Sequence, residues 1–134
     1  MGTWDRKNFG NDDAMDFVSD FTDRGIDAIL DALKPVLSTT VYSYLEAPEA
    51  QTALAAIEIV ATLKGNAPED LPEEIEDWIK KNPETKVNES VVLQSQNAIK
   101  RILDNNSEIN ELWEESKEYN EWVEIVKNLE NRIL

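Results

Sequence analysis

The sequence contains neither cysteine nor histidine. Without cysteine there is no disulfide and no thiolate nucleophile. Without either residue there is no Cys or His zinc site, and no imidazole can serve as a general base. Glycine is scarce: Gly2, Gly10, Gly25 and Gly65 stand isolated, too far apart to form a loop that cradles phosphate. No run approaches the ~20 apolar residues of a membrane-spanning helix. The opening MGTWDRKNFG lacks the apolar stretch of a secretory signal. Met1-Gly2 begins like a myristoylation signal, but Arg6 stands where Ser or Thr is required. Basic residues are also few, 13 Lys+Arg against 28 Asp+Glu, for a formal charge of −15. That charge repels a nucleic-acid backbone and an anionic membrane surface. These absences predict a cytoplasmic protein with no nucleic-acid or membrane partner, no cofactor, no metal site and no catalytic residues.

What is present is enough for one core. A chain of 134 residues, 41% hydrophobic and 31% charged, reads as a single domain spanning residues 1–134. Its negative charge is spread evenly. Residues 1–46 carry −5 (9 acids, 4 bases), residues 47–85 carry −6 (9 and 3), and residues 86–134 carry −4 (10 and 6). With no detachable acidic tail, the charge has two readings. It keeps the domain soluble, or its field steers in a basic partner.

Hydrophobic periodicity predicts an all-α domain of six to seven short helices behind an N-terminal arm, residues 1–10. Ala14, Phe17, Val18 and Phe21 recur at helical spacing after Asn11, a good N-cap, with Gly25 as a stop. Ile26, Ile29, Leu30 and Leu33 repeat the spacing, and Pro35 is expected to end or kink that segment. Residues 36–45 are ambiguous, since their β-branched and aromatic side chains suit a strand. No other segment alternates to pair with them, so helix or helix plus turn is the reading. Pro48 opens a segment apolar on more than one face, the expected central helix. Pro72 opens an acid-first, lysine-last helix, as the dipole favours. The faces around Ile99, Trp113 and Trp122 predict the remainder, with Ser107 a candidate N-cap. Expected in the core are Phe17, Phe21, Ile29, Leu54, Ile57, Val60, Trp78, Ile99, Ile102, Trp113, Trp122 and Val126. Trp4 and Phe9 are expected to pin the arm.

Three segments carry a more specific pattern: MGTWxxxxFxNDxAxDF at the start, YLEAPE at residues 44–49, and LWEES followed by YNEW near the end. Together they resemble a small bacterial family, domain of unknown function 4259, whose members often open MGxWGxGxFxNDxAxDW. Gly2, Trp4, Phe9, Asn11, Asp12, Ala14 and Asp16 are in place. Asp5 stands where that opening has Gly, and Phe17 where it has Trp. Leu112, Trp113, Glu114, Tyr119, Glu121 and Trp122 carry the later match. The resemblance implies a single all-helical domain and carries no functional residues over.

Candidate functional residues are all acidic. Asp12, Asp16, Asp20, Asp23, Asp27 and Asp31 follow steps of 4, 4, 3, 4 and 4. On one continuous helix they form a stripe opposite Phe17 and Phe21, slightly costly through like-charge repulsion. Glu69, Asp70, Glu73, Glu74, Glu76 and Asp77 put six acids into nine residues, which stay close in any conformation. A third group from Glu108 to Glu124 interleaves with Trp113, Tyr119 and Trp122, a combination that suits arginine. There is no D-x-D-x-D-G calcium loop, and carboxylate pairs alone do not make a glycosidase. The expected function is a non-enzymatic acidic protein-binding domain, most concretely an immunity or antitoxin protein that blocks a basic nuclease toxin. The partner-binding candidates are the 69–77 cluster first, then Asp16, Asp20, Asp23 and Asp27. The alternative is a structural or self-associating domain, a homo-oligomer included, whose acidity serves solubility.

Overall fold

Asn11 starts the first helix with its side chain. Its Oδ1 accepts from the Ala14 N–H at 2.8 Å, which satisfies one of the donors a helix start leaves free. Helix α1 runs Asp12–Arg24 and stops at Gly25, with α2, Ile26–Ser38, beginning on the next residue. Gly25 has φ +63°, a conformation that only glycine adopts freely. A Cβ there would also lie 3.1 Å from the Trp78 ring. The turn therefore depends on glycine twice, for its backbone and for the indole packed over it. Beyond it follow α3 (Ala47–Leu63), α4 (Glu73–Lys81), α5 (Glu89–Ile102), α6 (Glu108–Glu114) and α7 (Tyr119–Arg132).

This computed structural model describes residues 6–134. Trp4, expected to pin the arm, lies outside the described residues, whereas Phe9 is buried in the core. Among the described residues there is no strand. The only extended pairing is an isolated parallel bridge between Leu45 and Ser107, made by Leu45 N–H to Asn106 C=O at 2.8 Å and Glu108 N–H to Leu45 C=O at 2.9 Å. The chain is thus all-α, and residues 39–46 form a connecting loop.

Helix α3 is the axis of the fold. Its small Ala53, Ala55, Ala56 and Ala61 and its large Leu54, Ile57, Ile59 and Val60 are all buried, so from Ala53 to Ala61 no face of it meets water. It packs against α1, α2, α5, α6 and α7, each of which turns one apolar stripe inward. Of the twelve side chains expected in the core, Trp78 alone is only half-buried. It lies as a lid over Gly25, its ring centroid 4.6 Å from that of Phe21. Trp113 and Trp122 stack inside at 6.3 Å.

Two local expectations are corrected. Pro35 does not end α2, which runs on to Ser38. The turn beyond the proline is held by Val36, which is fully buried, and by Thr39 Oγ1, which donates to the Pro35 carbonyl at 2.7 Å. Ser107 occupies the N-cap position of α6 without a side-chain capping bond. Its Oγ is buried and has no hydrogen-bond partner. Instead, Glu108 beside it reaches across to the start of α3, where its Oε1 accepts from the Ala47 N–H at 2.7 Å.

These caps differ in measurable worth. Asn11→Ala and Asn88→Ala, whose Oδ1 atoms accept from helix N–H groups, should each cost about 1 kcal/mol in urea denaturation. Ser107→Ala should cost nothing or stabilise, because it deletes a buried hydroxyl that makes no bond. A loss of about 1 kcal/mol at Ser107 would show that the hydroxyl does cap.

Candidate functional site

The turn at Gly25 breaks the aspartate stripe in two and folds one half towards the other. Arg24 Nε and Nη2 donate to the two carboxylate oxygens of Asp20, each at 2.9 Å, and Nη1 donates to Asp31 at 2.7 Å. On a continuous helix, eleven residues would hold Asp20 and Asp31 about 16 Å apart. Here one guanidinium serves both. It holds the Asp20 carboxyl below its ordinary range through the hydrogen bond, and the two carboxylates in turn push the guanidinium up. Lys34 approaches Asp31 at 3.9 Å. Asp16, Asp23 and Asp27 are exposed. The continuous helix that a single stripe requires is absent, and the helix stop read at Gly25 splits the aspartates into two short acidic faces. Asp20 and Asp31 also border an open groove of about 540 Å³, floored by Phe17, Ala28, Ala32 and Pro35.

The 69–77 cluster is divided as well. Glu73, Glu74, Glu76 and Asp77 lie exposed on α4, which is anchored by buried Ile75 and packs on α1. Glu76 pairs with Lys80 at 3.1 Å. Glu69 and Asp70, in the preceding loop, are also exposed and line a recess of about 750 Å³ with Lys7, Asn8, Glu58 and Arg132.

At the back of that recess stands a buried carboxylate that sequence reasoning missed. Glu58 lies on α3 and is 3% exposed. Arg132, near the end of α7, grips it with two parallel bonds of 2.8 and 2.9 Å, and the Asn8 amide donates a third at 2.7 Å. Arg132 also donates to the Asn66 carbonyl at 3.1 Å, and the Asn66 amide donates back to the Arg132 carbonyl at 2.9 Å. The arm, the central helix and the last helix thus meet on one carboxylate. The signal available in the sequence was a lone acid inside ALAAIEIVATL. A charge in an apolar helix requires a partner, although the sequence does not say which.

The third group surrounds Tyr44. Its hydroxyl donates to Glu111 at 2.9 Å. That hydrogen bond, followed by partial burial and the fields of Glu111, Glu108 and Glu115, pushes the phenol up to about 12. Trp113 and Trp122 are core residues, and the Tyr119 hydroxyl donates to Asn110 at 2.9 Å. The aromatics of this segment that face water are therefore not the tryptophans.

Among the described residues no group of three acids is placed to hold a metal ion, and no helix is long and apolar enough to cross a membrane. A sequence profile of the family described as Domain of unknown function (DUF4259) matches residues 2–125. The chain belongs to this family. Searches of the curated proteins and of the solved structures return no match. Of the residues that resemble the DUF4259 opening, Asn11 caps α1 and Phe9 and Ala14 are buried, whereas Asp12 and Asp16 are exposed. Arg132 lies beyond the residues matched to DUF4259.

Two measurements test this geometry. Arg132→Ala leaves Glu58 buried without its charge partner and should cost about 3 kcal/mol. Arg132→Lys should recover only part, because an ammonium cannot make the paired bonds. A urea midpoint unmoved by Arg132→Ala would refute the clamp. In alkaline titration followed by ring NMR, Tyr44 should ionise near pH 12, and Glu111→Gln should return it towards the ordinary value of about 10. Because the folded-state value is raised, the stabilisation from this bond is complete below about pH 10 and is lost as pH rises through 12.

Proposed function

We propose that this chain is a non-enzymatic, cytoplasmic acidic domain that binds a basic protein, most concretely a nuclease-type toxin that it neutralises as an immunity protein or antitoxin would. The observation that carries the reading is the run of exposed carboxylates at Glu69, Asp70, Glu73, Glu74, Glu76 and Asp77 on a domain of formal charge −15. A nuclease presents a basic channel to its substrate's phosphates. An acidic domain gains association rate and specificity against such a channel. On this reading the 69–77 cluster and the exposed Asp16, Asp23 and Asp27 supply the long-range field. Asp20, already engaged by Arg24, contributes less.

The test is affinity capture from the native host, followed by association kinetics with the captured protein at about 0.1 M and about 1 M salt, where the Debye length falls from about 10 to about 3 Å. The captured protein should be basic, and its nuclease activity should be blocked by the domain. Glu73→Lys with Glu74→Lys should slow association several-fold at low salt and flatten its salt dependence, leaving the fold intact because both side chains are exposed. Rates unchanged at both salt concentrations would remove this cluster from the encounter. A salt-insensitive homo-oligomer with no basic partner would favour the self-associating alternative.

A further inference from the structure

One exposed aromatic stands on a loop tied by a buried guanidinium. Tyr42 is 93% exposed, yet it stands in one of the most tightly tied loops of the molecule. Arg101, on α5 and only 8% exposed, directs its hydrogen bonds to backbone carbonyls. Nε donates to Thr39 at 2.6 Å, and Nη2 donates to Thr40 and Ser43 at 3.1 and 3.0 Å. The same guanidinium donates to the Asn105 and Asn106 carbonyls at 2.8 and 3.1 Å. The Asn106 amide donates to the Val41 carbonyl at 2.7 Å. The carbonyls on both sides of Tyr42 are therefore fixed by side chains from elsewhere in the chain. Two residues on, Tyr44 is half exposed and held by Glu111, in the field of Glu108 and Glu115.

We propose that the 39–44 loop is a preformed docking knob for an arginine-bearing basic protein surface, with Tyr42 as the anchor and the glutamates of α6 as its charged surround. The inference rests on the basic-partner reading and adds where that partner is held. A buried guanidinium is costly to desolvate, and here its charge serves to freeze a loop. A frozen loop loses little conformational entropy when its aromatic docks. Tyrosine is among the residues that dominate interface energy, through area and a polar tip. Charge complementarity selects the occupant. The carboxylates around the half-exposed Tyr44, two residues from Tyr42, suit a guanidinium, which stacks on a ring face while its N–H fork meets a carboxylate. An ammonium does the second without the planar stack. A second copy of this chain is disfavoured by the repulsion between two charges of −15.

The test uses a short arginine-rich peptide and its lysine counterpart of equal length and charge, titrated separately into the full chain at low ionic strength. Ring and amide NMR signals locate the contact. The arginine peptide should move the signals of Tyr42 and Tyr44 and bind more tightly than the lysine peptide. Tyr42→Ala should weaken the arginine peptide about two- to five-fold, whereas Tyr42→Phe, which keeps the ring, should bind as wild type does. Tyr42 is almost wholly exposed, so neither variant should alter the fold. Peptide signals confined to α4 or to the aspartates of α1 and α2, with Tyr42 unmoved, would overturn the knob while leaving the basic-partner reading standing. Equal affinity for the two peptides would overturn the guanidinium preference and the knob with it. Saturable binding of neither peptide would remove both the knob and the reading beneath it.

Discussion

A helix that is apolar on every side can exist in water only inside a complete jacket, and α3 imposes that requirement on the rest of the chain. From Ala53 to Ala61 it has no wet face, so five other helices must each supply an inward stripe. The jacket need not be thick. Seven-residue α6 suffices on one side because Ile109 and Trp113 are both buried and Trp113 stacks on Trp122. The connections follow from the same need. A one-residue turn at Gly25 places α1 and α2 together beside α3, and its positive φ is tolerable because the residue is glycine.

The polar interior is organised around two arginines with opposite logic. Arg132 meets a carboxylate, Glu58, and the pair is protected by its depth and parallel geometry. Arg101 meets carbonyl dipoles instead, and so reinforces two loops otherwise joined by the Leu45–Ser107 bridge. The first clamp joins the ends of the chain through the centre. The second fixes the connection between α2 and α3. A buried polar group needs partners, and in both cases the partners come from distant parts of the sequence.

That distance explains what could be read from the sequence and what could not. The faces of α1, α5 and α7 were legible because helical periodicity is local. Asn11 was legible as a cap because its partner is three residues away. Pro35 left open whether α2 ends or bends there, because the rule against proline in a helix is also local, whereas the burial of Val36 beyond it is tertiary. Ser107 misled for a related reason: its residue type suits a cap, but its hydroxyl points where no N–H meets it. Acidic side chains were legible as a surface property, though not as a surface shape. The even spacing of Asp20 and Asp31 concealed that one guanidinium would hold both. Arg101 and Tyr42 had no sequence signal at all, since a donor's acceptors about sixty residues away leave no periodic trace.

On the proposed basic-partner reading, the two kinds of surface feature would divide the work of recognition between rate and residence. Exposed carboxylates spread over several faces cannot hold a partner in one orientation, because each is screened within about 10 Å at ordinary salt and isolated exposed pairs contribute little. They can raise the frequency of encounters with a basic surface. Orientation and residence need a rigid element with apolar area, and affinity among related interfaces is set mainly by dissociation. On this surface Tyr42 combines full exposure with a backbone held by Arg101 and Asn106. Leu93, also well exposed, lies on helix α5 rather than on a loop held by a buried guanidinium. An acidic domain built only for solubility would need the carboxylates and not the frozen loop. The coexistence of the two is what favours the proposed binding role over acidity that serves solubility alone.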